Sequence, residues 1–110
     1  MNQIYYHNIL SDFRKYHAAN PHVYQLFRRF TLQVINTGRE RYGAKSIFEQ
    51  IRWHTEIESK GEDFKINNNY TPFYARMFMY EYPQNDGFFR LRTMRNADKF
   101  QAWLEHEFGG

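Results

Sequence analysis

The spacing of apolar residues along the chain predicts a succession of helices interrupted by a change of period. Val23, Leu26, Phe27, Phe30 and Val34 recur at the intervals of a helix with one buried face. Asn20-Pro21 precedes this stripe as a start signal, because Asn can cap exposed amides and proline tolerates the first helical position. Gly38 follows it as a residue able to take the left-handed closing conformation. Upstream, Ile4 to Tyr16 makes a first helix with Ile4, Leu10 and Phe13 on a less regular stripe. Downstream, a third helix runs from Lys45 or Ser46 to Glu58 with Ile47, Phe48 and Ile51 inward. Ser46 and Glu49 have the spacing of a capping box, and Gly61 ends the segment.

A period of two then appears. Phe64-Lys65-Ile66 alternates apolar and charged like a short half-buried strand, ahead of a polar turn at Asn67-Asn68-Asn69. Thr71-Pro72 repeats the cap-plus-proline start and opens a fourth helix through Phe73, Met77, Phe78 and Tyr80 until Pro83. Asn85-Asp86-Gly87 is a turn, and Phe88 to Arg92 restores the alternation. This places Phe89 and Leu91 inward and Phe88, Arg90 and Arg92 outward beside Lys65. Asn96 caps a last helix that carries Phe100, Trp103 and Leu104.

The expected fold is therefore mainly α with a small two-stranded β-ribbon, in the order α-α-α-β-α-β-α, and its second half resembles a winged helix-turn-helix. In that arrangement Lys45 to Glu58 supports, Thr71 to Tyr82 reads the nucleic acid, and Phe88 to Arg92 belongs to the wing. Two features oppose it. About ten residues separate the two helices, where a helix-turn-helix uses a turn of roughly 3 to 4. The fourth helix also carries Phe73, Tyr74, Met77, Phe78, Met79, Tyr80 and Tyr82 in nearly every direction, which suits a core position or a protein interface.

At 110 residues with 42% hydrophobic and 20% aromatic content, the chain has the size and the large side chains for one packed domain spanning residues 1–110. Zero cysteines exclude disulfides, thiolate zinc sites, iron-sulfur clusters and cysteine nucleophiles. No apolar run approaches the ~20 residues that span a bilayer, and no secretory pattern opens the chain, so a cytoplasmic protein without a membrane partner is expected. The five histidines, His7, His17, His22, His54 and His106, lack ligand spacing, and neither metal nor cofactor is expected. Asp63-Phe64-Lys65 has the acid-x-Lys form of metal-dependent nucleases. The earlier acidic residues Glu49, Glu56 and Glu58 fall on a helix rather than on a neighbouring strand, so no enzyme is expected.

Charge changes the picture through its distribution. The formal net charge is +3. Between Phe64 and Arg95 stand Lys65, Arg76, Arg90, Arg92 and Arg95 against Glu81 and Asp86, which accounts for all of it. The candidate nucleic-acid contacts follow. Lys65, Arg90, Arg92 and Arg95 meet phosphates; Asn67, Asn68 and Asn69 meet phosphates or base edges; Tyr70, with Tyr74 and Phe88, stacks on bases. Arg76 serves either as a ligand contact or as an ion pair with a carboxylate such as Glu49.

The runs Ile47 to Trp53 (IFEQIRW), Phe64 to Tyr70 (FKINNNY), Tyr74-Ala75-Arg76 and Gly87-Phe88-Phe89 ending at Arg92 carry a resemblance. Over roughly Asn20 to Arg92 the chain resembles a family of small proteins encoded by bacteriophages and prophages. The resemblance implies a phage setting, hence a bacterial host cytoplasm, and no catalytic residues. Two functions suit that setting: a nucleic-acid-binding accessory protein acting through a basic β-wing with little sequence readout, or a protein-interaction module, self-association included, acting through Thr71 to Tyr82.

Overall fold

The computed structural model describes residues 3–59, 68–92 and 97–109. Five helices account for most of them: α1 (Gln3–Ala19), α2 (Pro21–Asn36), α3 (Ala44–Ser59), α4 (Thr71–Glu81) and α5 (Ala97–Phe108). A 3₁₀ turn at Asn68–Tyr70 leads into α4, and another at Pro83–Asn85 follows it.

α1 and α2 abut at Asn20. Its backbone N–H and its side-chain Nδ2 both donate to the Tyr16 carbonyl, at 2.8 and 3.0 Å. The side chain expected to cap α2 thus closes α1 instead, and α2 starts on Pro21, which has no N–H to satisfy. At the other end of α2, Gly38 takes a φ of +94° and donates to the Ile35 carbonyl, as a left-handed closing residue does. α3 starts slightly earlier than its stripe predicts, with the Gly43 carbonyl accepting from Ser46 and Ile47. Ser46 lies within the first turn, and Glu49 accepts from Arg52, so the expected capping box does not form.

α4 is the centre of the molecule. Thr71, Phe73, Tyr74, Ala75, Met77 and Phe78, six of its 11 residues, are buried. Its apolar residues point in all directions because the other helices surround it. From α1, Phe13 packs against Phe73 at 4.8 Å between ring centroids and edge-on against Tyr74 at 5.0 Å. From α2, Phe27 lies 6.1 Å from Tyr74; from α3, Phe48 lies 5.4 Å from it. From α5, Phe100 meets Phe73 at 5.2 Å. Of the inward positions predicted for α2, α3 and α5, Val23, Phe27, Phe30, Ile47, Phe48, Ile51, Phe100, Trp103 and Leu104 are buried, and Leu26 and Val34 are partly buried against the core.

The expected β-ribbon and winged-helix arrangement are corrected by this structure. Among the described residues there is no strand, and the fold is all-α. Phe88 and Phe89 are 4% and 2% exposed. Successive side chains of a strand point to opposite faces, so two adjacent residues cannot both enter one core from a strand. Gly87, at φ +87°, turns the chain so that both rings go inward. Phe89 then packs on Phe27 at 5.4 Å and Phe78 at 6.0 Å. The partner strand expected at Phe64-Lys65-Ile66, and the caps expected from Gly61 and Asn96, lie outside the described residues. α4, expected as a reading helix, has no polar face to present.

The hydroxyl of Tyr74 is buried with no hydrogen-bond partner, and burial pushes its pKa well above the ordinary phenol value. A stranded hydroxyl costs about 1–3 kcal/mol, whereas truncating a central aromatic ring costs about 3–5 kcal/mol. Tyr74→Phe is therefore expected to be at least as stable as the wild type in urea unfolding, and Tyr74→Ala to lose about 3–5 kcal/mol. A Phe variant as damaged as the Ala variant contradicts the placement of this side chain.

Candidate nucleic-acid interface

Two loops that carry exposed arginines are joined by a backbone hydrogen bond. The segment after α2 carries Arg39 and Arg41, and the segment after the second 3₁₀ turn carries Arg90 and Arg92; all four side chains are exposed. The Tyr42 N–H donates to the Phe88 carbonyl at 3.1 Å, which joins the two segments. Each is anchored from beneath, the second by the buried rings of Phe88 and Phe89, the first by Tyr42, whose hydroxyl accepts from Gln50 at 3.3 Å. The Arg39 guanidinium lies over the Tyr42 ring, 5.4 Å from its centroid. A cleft of about 250 Å³ between the loops is bounded by Arg39, Glu40, Asn85, Asp86 and Phe88. Among the described residues, none of the four arginines forms an ion pair.

Counting charge along the chain misses Arg39 and Arg41, because residues outside Phe64 to Arg95 balance to zero. The available signal was local: two arginines flank Glu40 in a turn region directly before an aromatic residue.

The other expected contacts are placed differently. Tyr70 is buried, 5.7 Å from Phe13 and 5.4 Å from Tyr16, and Tyr74 and Phe88 are buried too, so none of the three expected stacking rings presents a face outward. Asn69 is exposed in the 3₁₀ turn, where Asn68 contributes backbone. Lys65, Asn67 and Arg95, with Asp63 of the acid-x-Lys motif, lie outside the described residues. Arg76 is half-buried and donates through Nη2 to the Arg92 carbonyl. Its expected partner Glu49 pairs with Arg52 instead.

A second polar group ties α2 to the end of α4. The Tyr24 hydroxyl donates to Glu81 at 2.6 Å, and Arg28 reaches the other carboxylate oxygen at 3.1 Å. Burial, reinforced by that hydrogen bond, raises the Tyr24 phenol far above its usual pKa. His17 sits nearby within an aromatic surround of Phe13, Tyr24, Tyr74 and Trp103, with ring centroids 5.9 to 6.3 Å away. Its Nε2 lies 3.7 Å from Glu107, while its Nδ1 is buried without a partner. Burial lowers the His17 pKa below 6.5, opposed by the Glu107 carboxylate.

Among the described residues no group of three or more His, Asp or Glu side chains is placed to hold a metal ion. Also among them, no helix is long and apolar enough to cross a membrane. Compared with protein-family models, curated proteins and solved structures, the chain matches none.

The His17 shift has a defined sign. The folded state holds this ring neutral more strongly than the unfolded state does, so the unfolded chain binds the extra proton. The contribution of His17 to stability is full above pH 6.5 and is lost as pH falls from 6.5 through the lowered folded-state pKa. His17→Phe, which keeps an aromatic ring at the site, is expected to flatten that part of the stability profile in urea titrations between neutral and mildly acidic pH. An unchanged slope assigns the acid sensitivity to other groups.

Proposed function

We propose that the protein binds nucleic acid through its phosphate backbone, with little reading of base sequence, using Arg90 and Arg92 together with Arg39 and Arg41 of the facing loop. The observation that carries this reading is the Tyr42 to Phe88 backbone hydrogen bond, which joins the segment of Arg39 and Arg41 to that of Arg90 and Arg92, four exposed arginines with no ion pair among the described residues. A guanidinium offers a planar set of donors that matches phosphate oxygens, and it stays charged at any physiological pH. Four such groups against Glu40 and Asp86 leave a locally positive surface.

Little sequence preference follows from the chemistry of the contacts. Phosphate contacts set position and strength but carry no base information. The rings expected to stack on bases are spent in the core, which leaves electrostatics as the main source of affinity. A small accessory protein of this kind also suits the phage setting that the sequence resemblance implies. The competing reading, a protein-interaction module built on Thr71 to Tyr82, has less to rest on, because α4 uses its rings to hold the other helices.

Fluorescence anisotropy with labelled duplex and single-stranded DNA and RNA, across a salt series, tests the proposal. Neutralising up to four phosphates gives a slope of log K against log salt of about −3 to −4 for duplex DNA. Arg90→Ala with Arg92→Ala is expected to reduce the magnitude of that slope by about 2 while leaving sequence preference unchanged. Absence of binding at low salt, or a slope indifferent to this pair and to Arg39→Ala with Arg41→Ala, defeats the proposal.

A further inference from the structure

A cleft of about 270 Å³ lies between α4 and α5 and shares Asp86 with the cleft of the arginine-bearing loops. Met79, Tyr80, Phe100 and Leu104 give it apolar walls, and Arg76 supplies a cation. It is smaller than the roughly 300–1,000 Å³ typical of drug-sized ligands. We propose that this cleft binds a small organic acid, with its carboxylate on Arg76 and its apolar body against those four side chains.

The electrostatics of Arg76 support this. Its Nη2 donates to a neutral acceptor, the Arg92 carbonyl, and its Nε is buried without any acceptor. No carboxylate among the described residues pairs with it. Burial alone lowers its pKa, the direction expected when desolvation goes uncompensated. A half-buried guanidinium with no direct ion pair among the described residues has donors to offer a carboxylate, whose hydrogen bonds restore part of what burial removed. The start of α5 at Ala97 borders the same cleft and adds the positive end of a helix dipole.

Asp86 limits the negative charge that the cleft can accept. It lines the cleft but forms no ion pair with Arg76, so one cation and one anion already share the space. A singly charged carboxylate leaves that space with one net negative charge and a dianion such as a phosphate monoester leaves it with two, so Asp86 disfavours the dianion more strongly. The apolar walls select further for an acid with a hydrocarbon or aromatic body over acetate.

The site is tested by nuclear magnetic resonance on the full ¹⁵N-labelled chain, following the backbone amides of Met79, Tyr80 and Gln101. Phenylacetate is the probe; phenylacetamide, acetate and inorganic phosphate are its controls for charge, apolar body and valence. Phenylacetate is expected to shift these amides saturably with a dissociation constant on the order of 1 mM. Phenylacetamide, acetate and phosphate should each bind at least about tenfold more weakly, and Arg76→Gln should weaken phenylacetate by a similar factor. Should Arg76→Gln fail to fold, the comparison of phenylacetate with phenylacetamide on the wild-type chain decides. Unsaturable shifts, equal binding of the neutral amide, or tighter binding of phosphate or of an oligonucleotide at these amides overturns the assignment. The side chains of Arg39, Arg41, Arg90 and Arg92 do not line this cleft, and Arg92 meets Arg76 only through its backbone carbonyl, so the result is separable from that of the salt series.

Discussion

The edge of Phe13 against Tyr74 is the contact on which the arrangement of helices depends. Tyr74 also meets Tyr24 and Phe27 of α2 and Phe48 of α3, so one side chain of α4 fixes the positions of three other helices. Phe13 extends the network to Phe100 and Trp103 of α5. Ring pairs prefer tilted or edge-on geometry and gain about 0.5–1.5 kcal/mol beyond the area they bury. A core made of such pairs therefore specifies angles as well as distances. This gives the large aromatic content, eleven Phe and nine Tyr, a structural use.

A core of rings fills space but offers few hydrogen-bond acceptors. Among the described residues, the buried side-chain atoms without partners, His17 Nδ1, Tyr74 Oη and Arg76 Nε, belong to groups lodged on or beside α4, where aromatic neighbours predominate. Where a carboxylate does reach inward, as Glu81 does to Tyr24 and Arg28, the polar atoms are satisfied and the helices are tied together. Packing and polar satisfaction thus compete around α4, and packing prevails at its middle while hydrogen bonding prevails at its end.

Most of the helical framework was legible in the sequence because amphipathic spacing is a direct record of burial. Val23, Phe27 and Phe30 on α2, and Phe100, Trp103 and Leu104 on α5, are inward as their intervals require. The all-round apolar character of α4 suited either a core position or a protein interface, and six of its 11 residues are buried. Phe88 to Arg92 misled because five residues of alternation are too few to separate a strand from a loop that buries two adjacent rings. Asn20 misled at a finer level: its side chain had a competing acceptor in the Tyr16 carbonyl, which local sequence does not rank. The arginine cluster was only half visible, since Arg39 and Arg41 join Arg90 and Arg92 through a tertiary hydrogen bond between loops. The cleft at Arg76 was invisible for the same reason, because α4 and α5 define it jointly.

The loop carrying Arg90 and Arg92 is held by the rings of Phe88 and Phe89, by a backbone bond to Tyr42 and by Arg76 donating to the Arg92 carbonyl, with no sheet ladder among the described residues. Its outward positions are thereby released from the register rules that a ribbon imposes on every second residue. Residues 90 and 92 can change type with little effect on folding, whereas residues 88 and 89 cannot. The anchor that folding needs is thus separate from the outer edge, so the charge carried by positions 90 and 92 is answerable to a binding partner and not to the packing of the helices.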